Sequence, residues 1–178
     1  MSPIAGPLFA AALLVALAGV AKAARPDPAR VALRTVGLPA SVGAVRVLGT
    51  AEVVVAGAVL GLGGRAGGAL VLVAYLGFAG FAAVLGGKDR RAVPCGCFGS
   101  GRAPVGRLHV GVNLALAAVG AIAMIRPTAG VVTVLRSTPL GGIPFAGFTL
   151  LLTWLLLVTL TALPELLDAA ADTPTVAR

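Results

Sequence analysis

Long apolar runs separated by short polar breaks organise the whole chain. Residues 7–24, 41–62, 67–85, 107–125 and 143–163 are predominantly apolar and carry few charges. A helix needs about 20 such residues to cross the hydrocarbon core of a bilayer, so each run predicts a transmembrane helix. The reading is an all-α fold: a polytopic transmembrane helical bundle of four core spans plus a fifth, C-terminal span. A single integral membrane domain over 1–178 is expected, with no internal repeat.

The breaks have their own chemistry. Arg25-Pro26-Asp27-Pro28 ends the first span, because proline cannot continue the helical hydrogen-bond ladder. Gly37-Leu38-Pro39 interrupts the chain before the second. Residues 86–106 form a polar loop, and Arg126-Pro127 closes the fourth span. Pro139, Gly141 and Gly142 leave 127–142 too broken to cross, and Pro164 precedes an acidic tail with Glu165, Asp168 and Asp172. Ala21-Lys22-Ala23 has the small residues of a signal-peptide cleavage site. Met1 to Pro7 lacks the Lys or Arg of a signal n-region, so retention as a span is expected.

Composition supports the bilayer reading. The chain is 58% hydrophobic and 11% charged, with a mean hydropathy of +1.03, whereas soluble domains carry about a quarter charged residues. The net charge of +8 comes mostly from arginines in the connections, which suits anionic lipid headgroups rather than nucleic acid. With one Trp, one Tyr and six Phe, there is no aromatic platform for stacking bases.

Five crossings put the termini on opposite sides. Lys22, Arg25, Arg30, Arg34, Lys88, Arg90, Arg91, Arg102 and Arg107 then share one face, against Arg65, Arg126 and Arg136 on the other. The positive-inside rule makes the richer face cytoplasmic. On this count the protein is a multi-pass plasma-membrane protein with its N-terminus outside and both the 86–106 loop and the tail inside.

That loop holds the only two cysteines, in Pro94-Cys95-Gly96-Cys97-Phe98-Gly99. Two thiols one residue apart can exchange electrons as dithiol and disulfide, or bind a soft metal as thiolates. Proline and glycines around them shape a backbone that a featureless loop does not need. Elsewhere, polar residues stand where they are expensive. Glu52 lies near the middle of the second span, where a charged side chain costs about 2.5–3.5 kcal/mol on insertion scales; it is expected to face the bundle interior and to have a partner. Arg46 is six residues from Glu52, not a facing helical spacing, and is expected to snorkel to the interface. Lys22, at the end of the first span, is expected to do the same. His109 and Asn113 stand at i and i+4 on one face of the fourth span. His109 can stabilise a thiolate, serve as a third soft-metal ligand, or contact headgroups. Asn113 is expected to hydrogen-bond a neighbouring helix. These residues all lie toward one end of the bundle, with Glu52 about 15 Å below that surface at 1.5 Å per residue.

Several of these residues together carry a family resemblance. Ala18-Gly19-Val20-Ala21-Lys22, Gly37-Leu38-Pro39, Glu52, Cys95-Gly96-Cys97-Phe98-Gly99 and Asn113 are similar to the pattern of the MauE/DoxX-like family of redox-associated membrane proteins, over about residues 8–125. The resemblance implies thiol–disulfide chemistry at Cys95 and Cys97 in support of an exported, disulfide-containing partner, with a separate thioredoxin-like protein as a further partner. The charge pattern departs from this, since it places the cysteines inside.

The leading expectation is therefore a membrane thiol–disulfide redox protein. A disulfide across C-x-C closes a small strained ring and should be labile. One pair cannot relay electrons across a membrane, so a quinone near Glu52 and His109, or movement of the loop, is needed. Two other classes stand beside it. One is a soft-metal module for Cu(I) at Cys95, Cys97 and His109, although the only methionines, Met1 and Met124, make no path for the metal. The other is a non-catalytic membrane scaffold.

Overall fold

A computed structural model describes residues 2–87, 105–164 and 166. Cys95, Cys97, the cations between them and the adjoining spans, and the acidic tail lie outside the described residues. The elements run α1 (Ala5–Ala24), α2 (Pro26–Thr35), α3 (Val42–Leu62), α4 (Gly64–Gly87), α5 (Arg107–Ile125), α6 (Val131–Ser137), a 3-10 turn (Pro139–Gly142) and α7 (Ile143–Thr161). The described residues form no strand. Five of these helices, α1, α3, α4, α5 and α7, are long and apolar enough to cross a membrane. The chain is an all-α, polytopic membrane protein.

Two helix pairs make the frame, α1 with α3 and α4 with α5. Each is drawn together by facing glycines. A Cβ on Gly19 would stand 2.5 Å from the Gly49 carbonyl oxygen, and one on Gly120 would stand 2.7 Å from that of Gly68. Small residues permit such approach, and dispersion then drives association in a solvent as apolar as the side chains. Of the glycines in α4, Gly68 serves this purpose, while Gly77 and Gly80 face open space. The pairs meet around Leu8, Ala12, Leu14, Val15, Val59, Val71, Tyr75 and Leu116, all buried. The outward faces of α3, α4 and α7, with Val47, Val54, Val73, Leu76, Leu150, Leu151 and Trp154, are exposed. Apolar residues all round a helix are what lipid requires.

α3 and α4 are consecutive yet touch little, because each is committed to another partner. Gly63 and Gly64, at φ 58° and 63°, reverse the chain between them. That left-handed conformation suits glycine and lets α4 begin at Gly64, three residues before the expected start of the third span. The Gly64 N–H donates to the Thr128 carbonyl at 2.6 Å, tying this turn to the connection after α5. The connection itself is non-spanning, as expected, but is organised as α6 and the 3-10 turn.

The connection after α1 is also a helix. Pro26 does end α1, but it simultaneously occupies the first position of α2, where its missing N–H is not needed. Asp27 sits in the first turn and Arg34 in the last, matching the helix dipole. Gly37, at φ 87°, closes α2 with Gly37 N–H to Arg34 and Leu38 N–H to Leu33 carbonyl bonds. Ala29 and Ala32 are buried against the bundle, while Asp27 and Arg30 pair at 2.7 Å on the outside. α2 is thus an amphipathic cover across the end of the bundle where α1 and α4 finish and α3 and α5 begin. Ala32 packs there with Ala82, Leu85 and Val105.

Candidate functional site

Below α2, the end of α1 delivers Lys22 and the middle of α3 delivers Glu52. The Lys22 ammonium donates to Glu52 Oε2 at 2.8 Å and to the Ala18 carbonyl at 3.4 Å. Both residues are buried, at 6% and 7% exposure. The expectation that Lys22 snorkels to the surface is therefore corrected, and the helix geometry explains why. Side chains lean toward the N-terminus of their own helix. For Lys22 on α1 that direction is inward, away from the surface; for Glu52 on α3 it is outward, toward the surface. The two side chains lean toward each other across the Gly19–Gly49 contact, where a Cβ on Gly19 would come within 3.0 Å of the Glu52 Cβ. A lone charge among apolar side chains is costly, and pairing offsets that cost for both.

Aromatic residues complete the surroundings. Phe78 on α4 places its ring centroid 5.6 Å from Lys22 Nζ, a cation–π distance. Phe78 packs edge-on against Tyr75 at 5.6 Å. The Tyr75 hydroxyl donates to the Ala11 carbonyl at 2.8 Å, so α4 is pinned to α1 deep in the bundle. Glu52 Oε1 is buried and has no hydrogen-bond partner among the described residues. Beside the pair, in the gap that α3 and α4 leave, lies a cavity of about 280 Å³. Ala29, Ala32 and Leu33 of α2 cover it, and Leu48, Ala74, Phe78 and Phe81 wall it.

His109 and Asn113 belong to the same end but not to this cavity. His109 is 2% exposed, which rules out headgroup contact. Its Nδ1 accepts from the Gly106 N–H at 3.5 Å at the start of α5. Asn113 Nδ2 donates to the His109 carbonyl at 2.7 Å, a bond within α5. Arg46 is exposed and stands apart from Glu52, as its spacing predicts. Among the described residues no cluster of three His, Cys, Asp or Glu is placed to hold a metal ion.

Sequence reasoning brought Lys22 and Glu52 to one end of the bundle without pairing them, and passed over Phe78, Tyr75 and the α2 cover. Signals for the last two were present. The chain's only tyrosine sits mid-span, where its hydroxyl demands a partner. Pro26, Asp27, Arg34 and Gly37 stand in helix-start and helix-stop order.

A multi-pass α-helical membrane protein with a buried ion pair and a roofed cavity at one end is the class these features define. The model of the family described as methylamine utilisation protein MauE matches residues 3–126. The match covers α1 to α5, the whole candidate site and the cysteine loop, and the chain belongs to this MauE/DoxX-like family. No curated protein and no solved structure matches the chain.

Proposed function

We propose that the protein is a membrane thiol–disulfide redox protein, with Cys95 and Cys97 cycling between dithiol and disulfide to support disulfide formation or maturation of a partner protein. The observation that carries this reading is Cys95-Gly96-Cys97 itself, lying inside the stretch matched to the redox-associated family. In the oxidising direction a partner thiolate attacks one sulfur of the Cys95–Cys97 disulfide. A mixed disulfide forms and the other cysteine leaves as thiolate. A second partner thiolate then attacks the mixed disulfide, so the partner gains a disulfide and the pair keeps two electrons and two protons as a dithiol. The reverse sequence reduces a partner disulfide. A thioredoxin-like or exported disulfide-containing protein suits either direction. Lys22, Glu52, His109 and Asn113 act as supporting residues, shaping the end of the bundle from which the loop emerges.

Differential alkylation in intact cells tests the reading, with a membrane-impermeant and a permeant maleimide applied before and after reduction. Labelling of both cysteines only after reduction is the expected result. Which reagent then labels them assigns the loop to a face, with charge favouring the cytoplasm. Free labelling without reduction, together with no mixed disulfide trapped by Cys97→Ser or Cys95→Ser, removes the redox reading. Copper co-purifying with the untreated protein in that case favours the soft-metal module, and its absence the scaffold.

A further inference from the structure

We infer that the cavity between α3 and α4 holds a single acyl chain of a bilayer phospholipid, which enters sideways from the membrane beneath α2. The site is independent of the thiol reading: α1, α2, α3 and α4 build it, whereas Cys95 and Cys97 lie outside the described residues.

The walls decide what kind of matter fills it. Leu33, Leu48, Val73, Phe78 and Phe81 present hydrocarbon. Lys22 and Glu52 also reach the lining, yet their polar atoms are engaged or closed off. The ammonium is held by Glu52 Oε2 and the Ala18 carbonyl and faces the Phe78 ring. Glu52 Oε1 is sealed within the packing. A water molecule needs about two to four polar partners to settle in a cavity, and none is open here. A charged ligand would add an unpaired charge beside a pair that is already neutral, which is costly among apolar side chains. Hydrocarbon remains. An empty slot is disfavoured too, because wall atoms facing a gap forfeit their dispersion contacts.

Position and shape decide which hydrocarbon. Leu48 and Val73 line the cavity and are also exposed on the outer faces of α3 and α4, where lipid tails are the solvent. The mouth is therefore continuous with the lipid-facing surface. On α4 the lining runs from Val73 to Phe81, which is about 12 Å at 1.5 Å per residue. That height lies along the helix, the direction in which lipid tails also run. A cavity of about 150 Å³ holds a six-carbon ring. In proportion, about 280 Å³ takes about eleven carbons, the greater part of one tail and too little for two. At the top, Ala29 and Ala32 of α2 close the slot, while Asp27 and Arg34 are exposed on the other face of that helix. The headgroup stays outside this cover, and the tail fills the space that α3 and α4 leave unpacked.

The test uses the full chain, one copy per lipid nanodisc, with two photoactivatable probes. One is a phosphatidylcholine carrying a diazirine midway along an acyl chain, and the other is the corresponding free fatty acid. The phosphatidylcholine is expected to crosslink to Ala74 and Phe78 inside the slot, as well as to the exposed Leu150 and Trp154 of α7, which any tail can reach. Gly77→Phe should remove the crosslinks in the slot and keep those on α7. A Cβ at Gly77 meets nothing within 4 Å, so the ring can occupy the mouth without displacing the helices. Leu48→Trp, on the opposite wall, should block the slot by a second route. Gly80→Phe, outside the lining, should leave the labelling unchanged. Stripping lipid with detergent should lower the melting temperature of the wild type more than that of Gly77→Phe, because the introduced ring replaces the tail. Wild-type labelling confined to α7, as a water-filled slot would give, overturns the inference. So does slot labelling by the free fatty acid alone, or labelling that persists in both Gly77→Phe and Leu48→Trp. Slot labelling that disappears at two copies per disc would give the mouth to a second copy of the chain, and an equal response of wild type and Gly77→Phe to delipidation would count equally against the bound tail.

Discussion

The two ends of the bundle solve the same problem, joining helices in an apolar solvent, by opposite means. At the α3–α4 turn the join is made of backbone. Gly63 and Gly64 take left-handed conformations, Gly64 N–H bonds to the Thr128 carbonyl, and Gly130 packs directly on the Gly61 carbonyl. Among the described residues, no charged side chain is buried there. At the other end the join is made of side chains. Lys22 reaches Glu52, Phe78 backs the ammonium, and α2 lies across the top. The backbone join brings the chains into direct contact at Gly63 and Gly130. The side-chain join holds a cavity, carries an acceptor without a partner among the described residues and requires two charges in the bilayer region. Stability alone is served better by the first solution, since apolar packing commonly equals or exceeds a buried ion pair. The expensive end is where the chemistry is expected.

The largest test of that contrast removes one charge. Glu52→Leu strands the Lys22 ammonium and is expected to destabilise the protein by about 3–5 kcal/mol, read as loss of monodisperse protein and a lower melting temperature in detergent. Lys22→Met/Glu52→Leu should recover most of this loss. Full stability in the single variant would show that Lys22 has another route to water, and the contrast between the ends would fall.

A bulky residue at the glycine crossing comes next. Gly49→Leu drives a side chain against the Gly19 carbonyl, 2.5 Å from its Cβ position, and overpacking of this kind costs about 1–3 kcal/mol. Gly80→Leu, whose Cβ meets nothing within 4 Å, serves as the control and should melt with the wild type. Below that stands Tyr75→Phe, which deletes the hydrogen bond to Ala11 and should lower stability by about 1 kcal/mol. The smallest effect belongs to the backbone-built end. Thr128 Oγ1 is buried without a partner among the described residues, so Thr128→Val should shift stability by no more than about 0.5 kcal/mol and in the favourable direction. Marked destabilisation by that variant would mean that the hydroxyl has a role, and that the far end is not held by backbone alone.

Span positions were legible from the sequence because a bilayer imposes a one-dimensional rule: about 20 apolar residues per crossing. The end that holds the candidate site was legible for a related reason. Polar residues such as Glu52, Lys22, His109 and Asn113 are rare enough in apolar runs that their position alone marks a site. The C-x-C pair and its family resemblance needed no fold at all.

Pairing was a different matter. Whether Lys22 points out to the headgroups or in toward Glu52 depends on which way α1 runs past α3 and how closely they approach, and the Gly19–Gly49 contact decides that. The close contact at Gly68 and the open space at Gly77 and Gly80 depend likewise on which helix faces which. α2 was missed because two prolines and a run of charges look like a break when hydropathy is the guide, although the same residues are start and stop signals for a short helix. Hydropathy and composition thus determined by themselves that the chain has about five helices able to cross a bilayer, and at which end its expensive polar residues gather. The ion pair, the cavity and its cover came from tertiary structure alone, because they arise from distances between residues far apart in the chain, and the apolar periodicity of a membrane helix does not specify its neighbours.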